Sequence, residues 1–540
     1  MIDAVPDEAT AARNRLAREK ALDAMSRVKP AATPVVRYLS QGRVVVIGGM
    51  EALEFAPRLQ GPLKPVVLLV AGVEEPGVTT IPLGGRRLSI EGHLGDFTLR
   101  LGEKGRPGYE QLRADLVLDL QPEPHFSMPL PPPGYLVASP DEPSLSAAAL
   151  QLEALVGTFE KPHFVGYDPS LCAHQRAGQV ACTRCIDACP AEAITSIAEA
   201  VEVDADRCQG GGACATVCPS GAMRYDWPGV EDALQQVKTL LESYRDAGGT
   251  EPVLVLLTEA GESETPLPPN HLPYRIEELA GRGLEFWFGA LGYGARSVLL
   301  LQEAPLPARV ARALEQQLEV GRRILEALGY PDDALRLAIP EDMPGEMPGM
   351  PPIEPARFAP VGEKRQLFFT ALDHLYRHAE RSRPLASLEA GAPFGIAQID
   401  AARCTLCNAC VGACPGNALQ LLEGGPGIGF LEANCLQCGM CTRTCPEDAI
   451  AITPRLLFDR DKRNRVRRLH SEEPFHCISC GKAFATASVI ERMQQALQGH
   501  WMFQDERARN RLKMCDECRV VDIAADATAM EQASGIRLNH

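Results

Sequence analysis

The stretch "CTLCNACVGACPGNAL", residues 404–419, places four cysteines in the order C-x2-C-x2-C-x3-C-P: Cys404, Cys407, Cys410 and Cys414. The same spacing returns in "CLQCGMCTRTCPEDAI", residues 435–450, with Cys435, Cys438, Cys441 and Cys445. Three thiolates in so tight a loop can bind three irons of one cubane, while the fourth, beyond the turn and followed by proline, points to a neighbouring cluster. The spacing therefore predicts two motifs that exchange their last ligands.

These two motifs resemble the bacterial two-cluster ferredoxin family at all eight cysteine positions. The resemblance implies a ferredoxin-like dicluster module over residues 393–455, built as βαβ pseudo-repeats. It also implies two 4Fe-4S clusters, the first on Cys404, Cys407, Cys410 and Cys445, and the second on Cys435, Cys438, Cys441 and Cys414. A zinc-only interpretation is disfavoured, because zinc takes four ligands at a time and does not require two interleaved quartets.

The tail of the motif occurs four times, as "CPAEAI", "CPSGAM", "CPGNAL" and "CPEDAI", which identifies a repeated unit. By resemblance to the same family, residues 160–228 are expected to form a second dicluster module. Its first 4Fe-4S cluster is expected on Cys172, Cys182, Cys185 and the exchanged Cys218. Nine residues separate Cys172 from Cys182, so an inserted loop is predicted there; if Cys172 were a bystander, His174 or a water-derived ligand would complete the site.

The second motif of this module, "RCQGGGACATVCPSGAM", residues 207–223, has Gly211 where a cysteine is expected. Its cluster would be held by Cys189, Cys208 and Cys214, with no fourth thiolate. The resemblance leaves three outcomes open: a 3Fe-4S cluster, a 4Fe-4S cluster with an open or water-capped iron, or no cluster. The first is favoured, so the chain is expected to hold three 4Fe-4S clusters and one 3Fe-4S or incompletely ligated cluster.

The last four cysteines form two C-x2-C knuckles, in "FHCISCGKAF" and "KMCDECRV". Cys477, Cys480, Cys515 and Cys518 can close on one ion as a tetrahedral four-thiolate site. Gly481 would allow the tight turn after the first knuckle. We expect a zinc-knuckle domain over residues 470–525 with structural zinc; a rubredoxin-like single iron and a cubane are the alternatives.

The remaining sequence predicts an α+β and α/β multidomain protein. An N-terminal helix is expected over residues 1–33, Rossmann-like α/β regions over 34–150 and 250–340, and a Pro/Gly/Met-rich linker over 341–365. The segment "VVVIGGMEAL" follows a strand pattern, yet it lacks G-x-G-x-x-G, so a tight turn is favoured over a nucleotide site.

Two further patterns are weighed against simpler explanations. His374 and His378 lie four residues apart and could share a metal, but no third ligand is spaced to help them, so two helix residues without metal are favoured. The segment "PRLLFDRDKRNRVRRLH" concentrates basic residues in an acidic protein. It could dock an acidic redox partner, although a solvated charged helix is favoured.

The region 250–340 loosely resembles the delta subunit of methyl-viologen-reducing hydrogenases, in "IEELAGRGLEFWFGALGYGARSVLLL" and the helix that follows. That family relays electrons between a hydrogenase and a flavin-containing subunit. The cysteines used by that family are missing here, so the resemblance implies only a docking domain.

Composition limits the function classes. With a formal net charge of −16, the chain is not expected to bind nucleic acid, and no apolar run is long enough for a membrane span. Nineteen cysteines without a secretory signal favour metal ligation in the cytoplasm.

We expect a ferredoxin-type relay that serves a cytoplasmic oxidoreductase, such as a formate or flavin-linked dehydrogenase. Whether the chain is itself an enzyme stays open, since it lacks the usual catalytic motifs and a non-catalytic carrier is favoured. Two alternatives are an iron-sulfur flavoprotein or nucleotide-linked oxidoreductase that uses the α/β regions, and a redox sensor or assembly factor.

Overall fold

The computed structural model describes residues 8–72, 77–103, 105–176, 178–258, 266–343, 349–423 and 425–526. The chain divides into two compact units, one formed by residues 1–172 and 183–382 and the other by residues 173–182 and 383–540. Among the described residues, no helix has the length and apolar character needed to cross a bilayer.

The first unit begins with the helix Glu8–Ser26, within the segment 1–33 where a helix was predicted; residues 1–7 lie outside the described part. Ala17 and Ala21, four residues apart, are buried on one face. Small residues on that face allow close packing against the long amphipathic helix Val230–Asp246. The buried Asn14 accepts a hydrogen bond from the Thr250 amide at 3.0 Å, which ties the helix to the chain that follows.

The first α/β region forms a parallel sheet. Its five strands, in spatial order, are Thr80–Pro82, Lys64–Leu69, Arg43–Gly48, Leu116–Asp119 and Tyr135–Val137. The central strand Arg43–Gly48 is buried at every residue after Arg43, as its continuous apolar run predicts for a strand covered on both faces. One face packs on the antiparallel strands Leu88–Glu91, Phe97–Leu101 and Glu110–Ala114, and the other on the helix Glu142–Ala154.

In the turn after the central strand, the Glu51 carboxylate binds a backbone amide. Glu51 accepts a hydrogen bond from the Gly49 amide at 2.7 Å, at the start of the six-residue helix Met50–Phe55. In a dinucleotide-binding turn such amides face a phosphate. Here a carboxylate uses the Gly49 amide, in agreement with the tight turn favoured from the sequence.

The second α/β region contains a four-stranded parallel sheet. In spatial order its strands are His271–Ile276, Val253–Thr258, Ser297–Leu301 and Leu335–Ala338. The helix Leu284–Gly292 is buried along its whole length, whereas Ala308–Leu328 buries one face and ends at Gly329, whose φ is 83°. Residues 344–348 of the predicted linker lie outside the described part, and residues 349–363 contain neither helix nor strand.

His374 and His378 both lie on the helix Lys364–His378. His374 is buried and its Nε2 lies 2.8 Å from the Glu354 carbonyl oxygen, while His378 Nδ1 lies 2.9 Å from the His374 carbonyl oxygen. Each ring thus binds a backbone acceptor. The metal-free interpretation of the pair stays a prediction.

The first unit also holds most of the N-terminal cysteine-rich region. Its strands pair as Val165–Tyr167 with Met223–Tyr225 and as Ile194–Ile197 with Ala200–Val203, and its helices are Arg184–Ala188 and Ala213–Val217. A separate antiparallel pair, Val35–Ser40 with Gly157–Pro162, precedes it. Each cysteine motif therefore has a short helix followed by a strand, as a βαβ pseudo-repeat requires.

The second unit contains the C-terminal cysteine motifs. Its strands are Gln175–Arg176, Gln179–Val180, Leu385–Ser387, Gly395–Ile399, Leu419–Leu421, Gly427–Phe430, Ile450–Leu457, Arg467–Ser471, Pro474–His476 and Ala483–Thr486. Its helices are Ala409–Ala413, Met440–Thr444, Arg460–Arg463, Ala487–Leu497, Glu506–Arg511 and Asp516–Ala524. Within this unit the strands Gln175–Arg176 and Gln179–Val180 pair, and they are held by Arg443, which donates to the Val180 carbonyl, and by Arg176, which donates to the Cys414 carbonyl.

The basic segment 455–468 differs from the charged helix favoured from the sequence. Only Arg460–Arg463 is helical, while Arg455 and Arg467 lie on strands and both bind the buried Glu432. Arg463 is buried and donates to the Leu457 and Phe458 carbonyls. Much of the positive charge therefore holds the fold together, because strand pairing brings it onto internal acceptors.

Candidate metal centres

The two C-terminal motifs enclose two separate cavities. One is lined by Cys404, Cys407, Cys410 and Cys445. The other is lined by Cys414, Cys435, Cys438 and Cys441. Each cavity therefore gathers three cysteines of one motif and the last cysteine of the other, which are the two quartets predicted from the spacing.

The loop around the second cysteine of each motif turns sharply. The flanking residues have positive φ: Leu406 (54°), Asn408 (62°), Gln437 (52°) and Gly439 (77°). A non-glycine residue in this left-handed region costs roughly 1–2 kcal/mol. The surrounding structure holds three such residues in place, and in doing so directs successive thiols into one cavity.

Burial and mutual repulsion disfavour ionised sulfur in these cavities. Burial, followed by the charges of Cys404, Cys407 and Cys445, raises the pKa of Cys410 to about 12. Burial and neighbouring cysteines likewise raise the pKa of Cys441. Four thiolates can share such a cavity only beside a strong positive charge, which is what iron supplies.

The predicted repeat is visible in the backbone at all four Cys-Pro sites. The third residue after each cysteine has positive φ: Glu192 (49°), Gly221 (84°), Asn417 (51°) and Asp448 (45°). The turn aims a backbone amide at the sulfur: Ala193 at Cys189, Met223 at Cys218, Ala418 at Cys414 and Ala449 at Cys445, at 3.3–3.4 Å. Such amides stabilise a thiolate, since they donate to its negative charge.

A reciprocal hydrogen bond joins the two motifs of each pair. The residue four positions before the first cysteine donates its amide to the alanine that follows the partner's Cys-Pro turn: Asp168 to Ala222, Asp204 to Ala193, Asp400 to Ala449 and Leu431 to Ala418, at 2.7–2.8 Å. In the first of these bonds, Asp168 stands four residues before Cys172. Cys172 therefore occupies the first-cysteine position of its repeat.

The other cysteines of that first motif are placed as follows. Cys172, Cys185 and Cys218 belong to one group of packed residues in the first unit. Burial, followed by a hydrogen bond with Cys172, raises the pKa of Tyr167. Cys182 belongs to the segment 173–182, where its carbonyl oxygen lies 2.8 Å from His174 Nδ1.

The Gly211 motif lines a third cavity. Its lining includes Cys189, Cys208, Cys214 and Gly211. Gly210 and Gly212 have φ of 80° and 69°, so the loop repeats the backbone seen around Cys438, with Gly211 at the cysteine position. A Cβ on Gly211 would meet only Pro190, at 3.7 Å, which is ordinary contact. Neither the backbone conformation nor the space at position 211 therefore requires a glycine.

Unlike Gly211, Gly212 has no space for a side chain. A Cβ there would lie 2.4 Å from the Gly281 Cα, and the positive φ adds strain. The backbone of residues 279–281 packs directly on this motif, and Thr216 Oγ1 donates to the Ala280 carbonyl at 2.5 Å. Gly212 is therefore explained by close backbone approach, whereas Gly211 is not.

The last four cysteines meet at one point. The sulfurs of Cys477, Cys480, Cys515 and Cys518 all lie within 4.8 Å of one another. Gly481, with φ of 75°, closes the first knuckle by donating its amide to the Cys477 carbonyl at 2.9 Å. Burial opposes ionisation of Cys477, but amides of Cys480, Cys515 and Ser479 outweigh it and lower its pKa to about 6. A four-thiolate metal site fits this arrangement.

Sequence reasoning missed two charged groups beside the cysteines. Lys161 donates to the Cys208 carbonyl at 2.6 Å, and Glu432, three residues before Cys435, is buried between Arg455 and Arg467. Lys161 follows no motif and reaches the Cys208 loop through strand pairing, whereas Glu432 lies in the loop before Cys435 and strands bring Arg455 and Arg467 to it. In the sequence, the one indication of a role for Glu432 was its position just before a cysteine motif, in "LEANC".

Comparison with known proteins matches both cysteine regions. A family described as 4Fe-4S dicluster domain matches residues 180–222, and a second family of the same description matches residues 403–450. No curated protein matches the chain. The resemblance of residues 250–340 to hydrogenase delta subunits stays a prediction. The chain therefore carries two ferredoxin-type 4Fe-4S dicluster domains, which support a role in iron-sulfur electron transfer.

Proposed function

We propose that this chain is a multi-cluster electron relay of the ferredoxin type. Three 4Fe-4S clusters would be held by complete quartets: Cys404, Cys407, Cys410 and Cys445; Cys414, Cys435, Cys438 and Cys441; and Cys172, Cys182, Cys185 and Cys218. The observation that carries the proposal is the pair of cavities lined by exchanged quartets. When bound, such clusters take up and give up single electrons.

The residues of the chain fit this cofactor. Thiols converge on each C-terminal cavity, and backbone amides point at the sulfur of the exchanged cysteine. The repeat position of Cys172 supports its assignment as a ligand, and Cys182 is assigned from the spacing. Cys407 is the exposed one among the eight C-terminal ligands, so its side of the module would exchange electrons with a partner.

For the Gly211 site we propose a 3Fe-4S cluster on Cys189, Cys208 and Cys214. The described residues that line this cavity supply three thiols, and Gln209 is the other polar side chain among them. With neither carboxylate nor imidazole in that lining, the fourth iron would have no protein ligand. Three thiolates match the three irons of a 3Fe-4S cluster.

A reciprocal pair of variants tests the assignment. Oxidised 3Fe-4S centres give an EPR signal, whereas oxidised low-potential 4Fe-4S centres do not. We expect one such signal in the wild-type chain, its loss with a gain of one iron in Gly211→Cys, and a second signal in Cys438→Gly. Absence of the signal from the wild type, or its persistence in a cluster-loaded Gly211→Cys chain, would refute the assignment.

For the C-terminal site we propose structural zinc on Cys477, Cys480, Cys515 and Cys518, in a zinc-knuckle domain. The converging sulfurs support a closed site with no position for substrate. Metal analysis should find one zinc per chain besides the iron. Iron in its place, with the red absorbance of a rubredoxin-like centre, would favour the alternative.

A second candidate function rests on the first α/β region. Its strand order is that of the Rossmann fold without the sixth strand, so a nucleotide or flavin is the alternative partner of the clusters. The Glu51 carboxylate on the Gly49 amide argues against phosphate at that turn. Bound flavin in the purified chain, or dye reduction by NAD(P)H, would establish the oxidoreductase and overturn the pure relay.

As the redox partner we propose a cytoplasmic oxidoreductase such as a formate or flavin-linked dehydrogenase. The exposed Cys407 supports transfer to another protein. Mixing the oxidised chain with each reduced dehydrogenase and following cluster bleaching tests the choice. Bleaching no faster than with an unrelated reduced flavoprotein would reject that partner.

A further inference from the structure

We propose that Lys161 sets the redox potential of the Gly211 site, its ammonium charge making the cluster there easier to reduce. The inference rests on the proposed function of that site. Lys161 is a positioning residue: it touches the loop that carries a ligand and not the sulfur itself.

Lys161 reaches the cysteine loop from a neighbouring strand pair. It lies on Gly157–Pro162, opposite Val36, and its Nζ donates to the Asp206 carbonyl at 2.9 Å and to the Cys208 carbonyl at 2.6 Å. Both acceptors belong to the turn that leads into the Gly211 motif. The ammonium is therefore fixed on the backbone carbonyl of Cys208, a proposed cluster ligand.

Asp204 and Asp206 act on this ammonium from a distance, but no described carboxylate lies within ion-pair distance of it. Lys161 is half-buried, and its Nζ lies 5.0 Å from the centre of the Tyr38 ring. Among the described residues it forms no ion pair. The Asp206 carboxylate instead faces His93, whose Nε2 lies 3.6 Å away. A positive charge in such partly dry surroundings acts over several ångströms with little screening.

A second lysine, Lys364, binds the same motif but has a carboxylate beside its ammonium. Lys364 Nζ donates to the carbonyls of Ala215 and Thr216, at 2.6 and 2.8 Å, on the other side of Cys214. Glu285 lies 3.7 Å from that ammonium and balances its charge. Lys364 therefore fixes the helix that carries Cys214 while Glu285 balances its charge, whereas no carboxylate within ion-pair distance balances Lys161 among the described residues.

Reduction of the Gly211 site adds one negative charge to a group held by Cys208. A fixed positive charge next to that loop stabilises the added electron and raises the reduction potential. Because the ammonium is fixed on the Cys208 loop, the effect should be largest at the Gly211 site.

The test is a redox titration of the full chain, followed by the EPR signal of the Gly211 site. Lys161→Met and Lys161→Gln both remove the charge, and Gln keeps a donor. In both we expect the reduction equilibrium to become at least tenfold less favourable, about 59 mV for one electron, while the potentials of the other clusters change less.

Two matched variants separate charge from structure. Lys161→Arg keeps the charge, and Tyr38→Phe removes the hydroxyl that donates to the Asp206 carbonyl at 2.6 Å without changing the charge. Both should leave the reduction equilibrium unchanged from the wild type by the same electrostatic argument. An unchanged potential in either cluster-loaded uncharged variant, or an equal drop in Tyr38→Phe, overturns the role of Lys161. Absence of the EPR signal in the wild type would instead refute the proposed cluster.

Discussion

Glu432→Gln is expected to weaken the C-terminal dicluster module. The Glu432 side chain is 3% exposed and accepts three hydrogen bonds of 2.8 Å, two from Arg455 and one from Arg467. Removing one partner of a buried ion pair costs roughly 3–5 kcal/mol. Arg455 and Arg467 keep 22% and 36% of their side chains exposed, so water screens part of that loss, and we expect about 2 kcal/mol.

Because the cofactor makes unfolding irreversible, the appropriate measurement is the rate of cluster bleaching in urea. A loss of about 2 kcal/mol that falls entirely on the unfolding barrier corresponds to roughly 30-fold faster bleaching. The control is Asp448→Asn, which removes a carboxylate that is 85% exposed at a left-handed position that asparagine tolerates. It should change the rate less than about threefold. Equal rates for Glu432→Gln and wild type would refute the buried-pair reasoning.

Three further predictions concern acid stability, loop geometry and metal. Burial opposes ionisation of Asp115, but the Arg43 guanidinium and nearby amides outweigh it and lower the pKa of Asp115 below 3.8. The carboxylate thus contributes stability in full above that value and loses it as pH falls through the lower folded pKa. As pH falls below about 4, the rate of urea unfolding should rise less steeply in Asp115→Asn than in the wild type; an equally steep rise would contradict this. Gly212→Ala, with its Cβ 2.4 Å from Gly281, should reduce soluble, cluster-loaded protein sharply, whereas Gly211→Ala should not, and equal yields would argue against the close backbone approach. Stripping the C-terminal ion with a strong chelator should release one metal per chain and expose residues 470–525 to protease, with no bleaching of the iron-sulfur absorbance; bleaching would mean that the site is not independent.

The C-terminal quartets were predictable because the information is local. Short C-x2-C spacings leave the chain few ways to direct three thiols, and the Cys-Pro turn repeats with little change. The same holds for the strands of the first α/β region, where "RVVVIG" predicts a buried parallel strand. The conformation of such segments can be predicted because it is determined by residues that are neighbours in sequence.

Contacts between distant segments could not be predicted in this way. The bond from Lys161 to Cys208 joins residues 47 positions apart, and it exists because Val35–Ser40 and Gly157–Pro162 pair. The basic run around Arg463 was expected to be solvated for a related reason. Charge counted along a sequence does not reveal that Arg455 and Arg467 bind a buried acid, Glu432, in the short turn Glu432–Asn434.

Gly211 combines both kinds of information. The spacing identifies it as a missing cysteine, but spacing alone allows two explanations: a glycine that the backbone requires, or a side chain left out. The flanking glycines answer the question, because Gly210 and Gly212 take the left-handed turns while Gly211 takes neither a left-handed φ nor a crowded position. Since the backbone and the space accept a Cβ there, packing does not account for the glycine, and we propose that the chemistry of the site does.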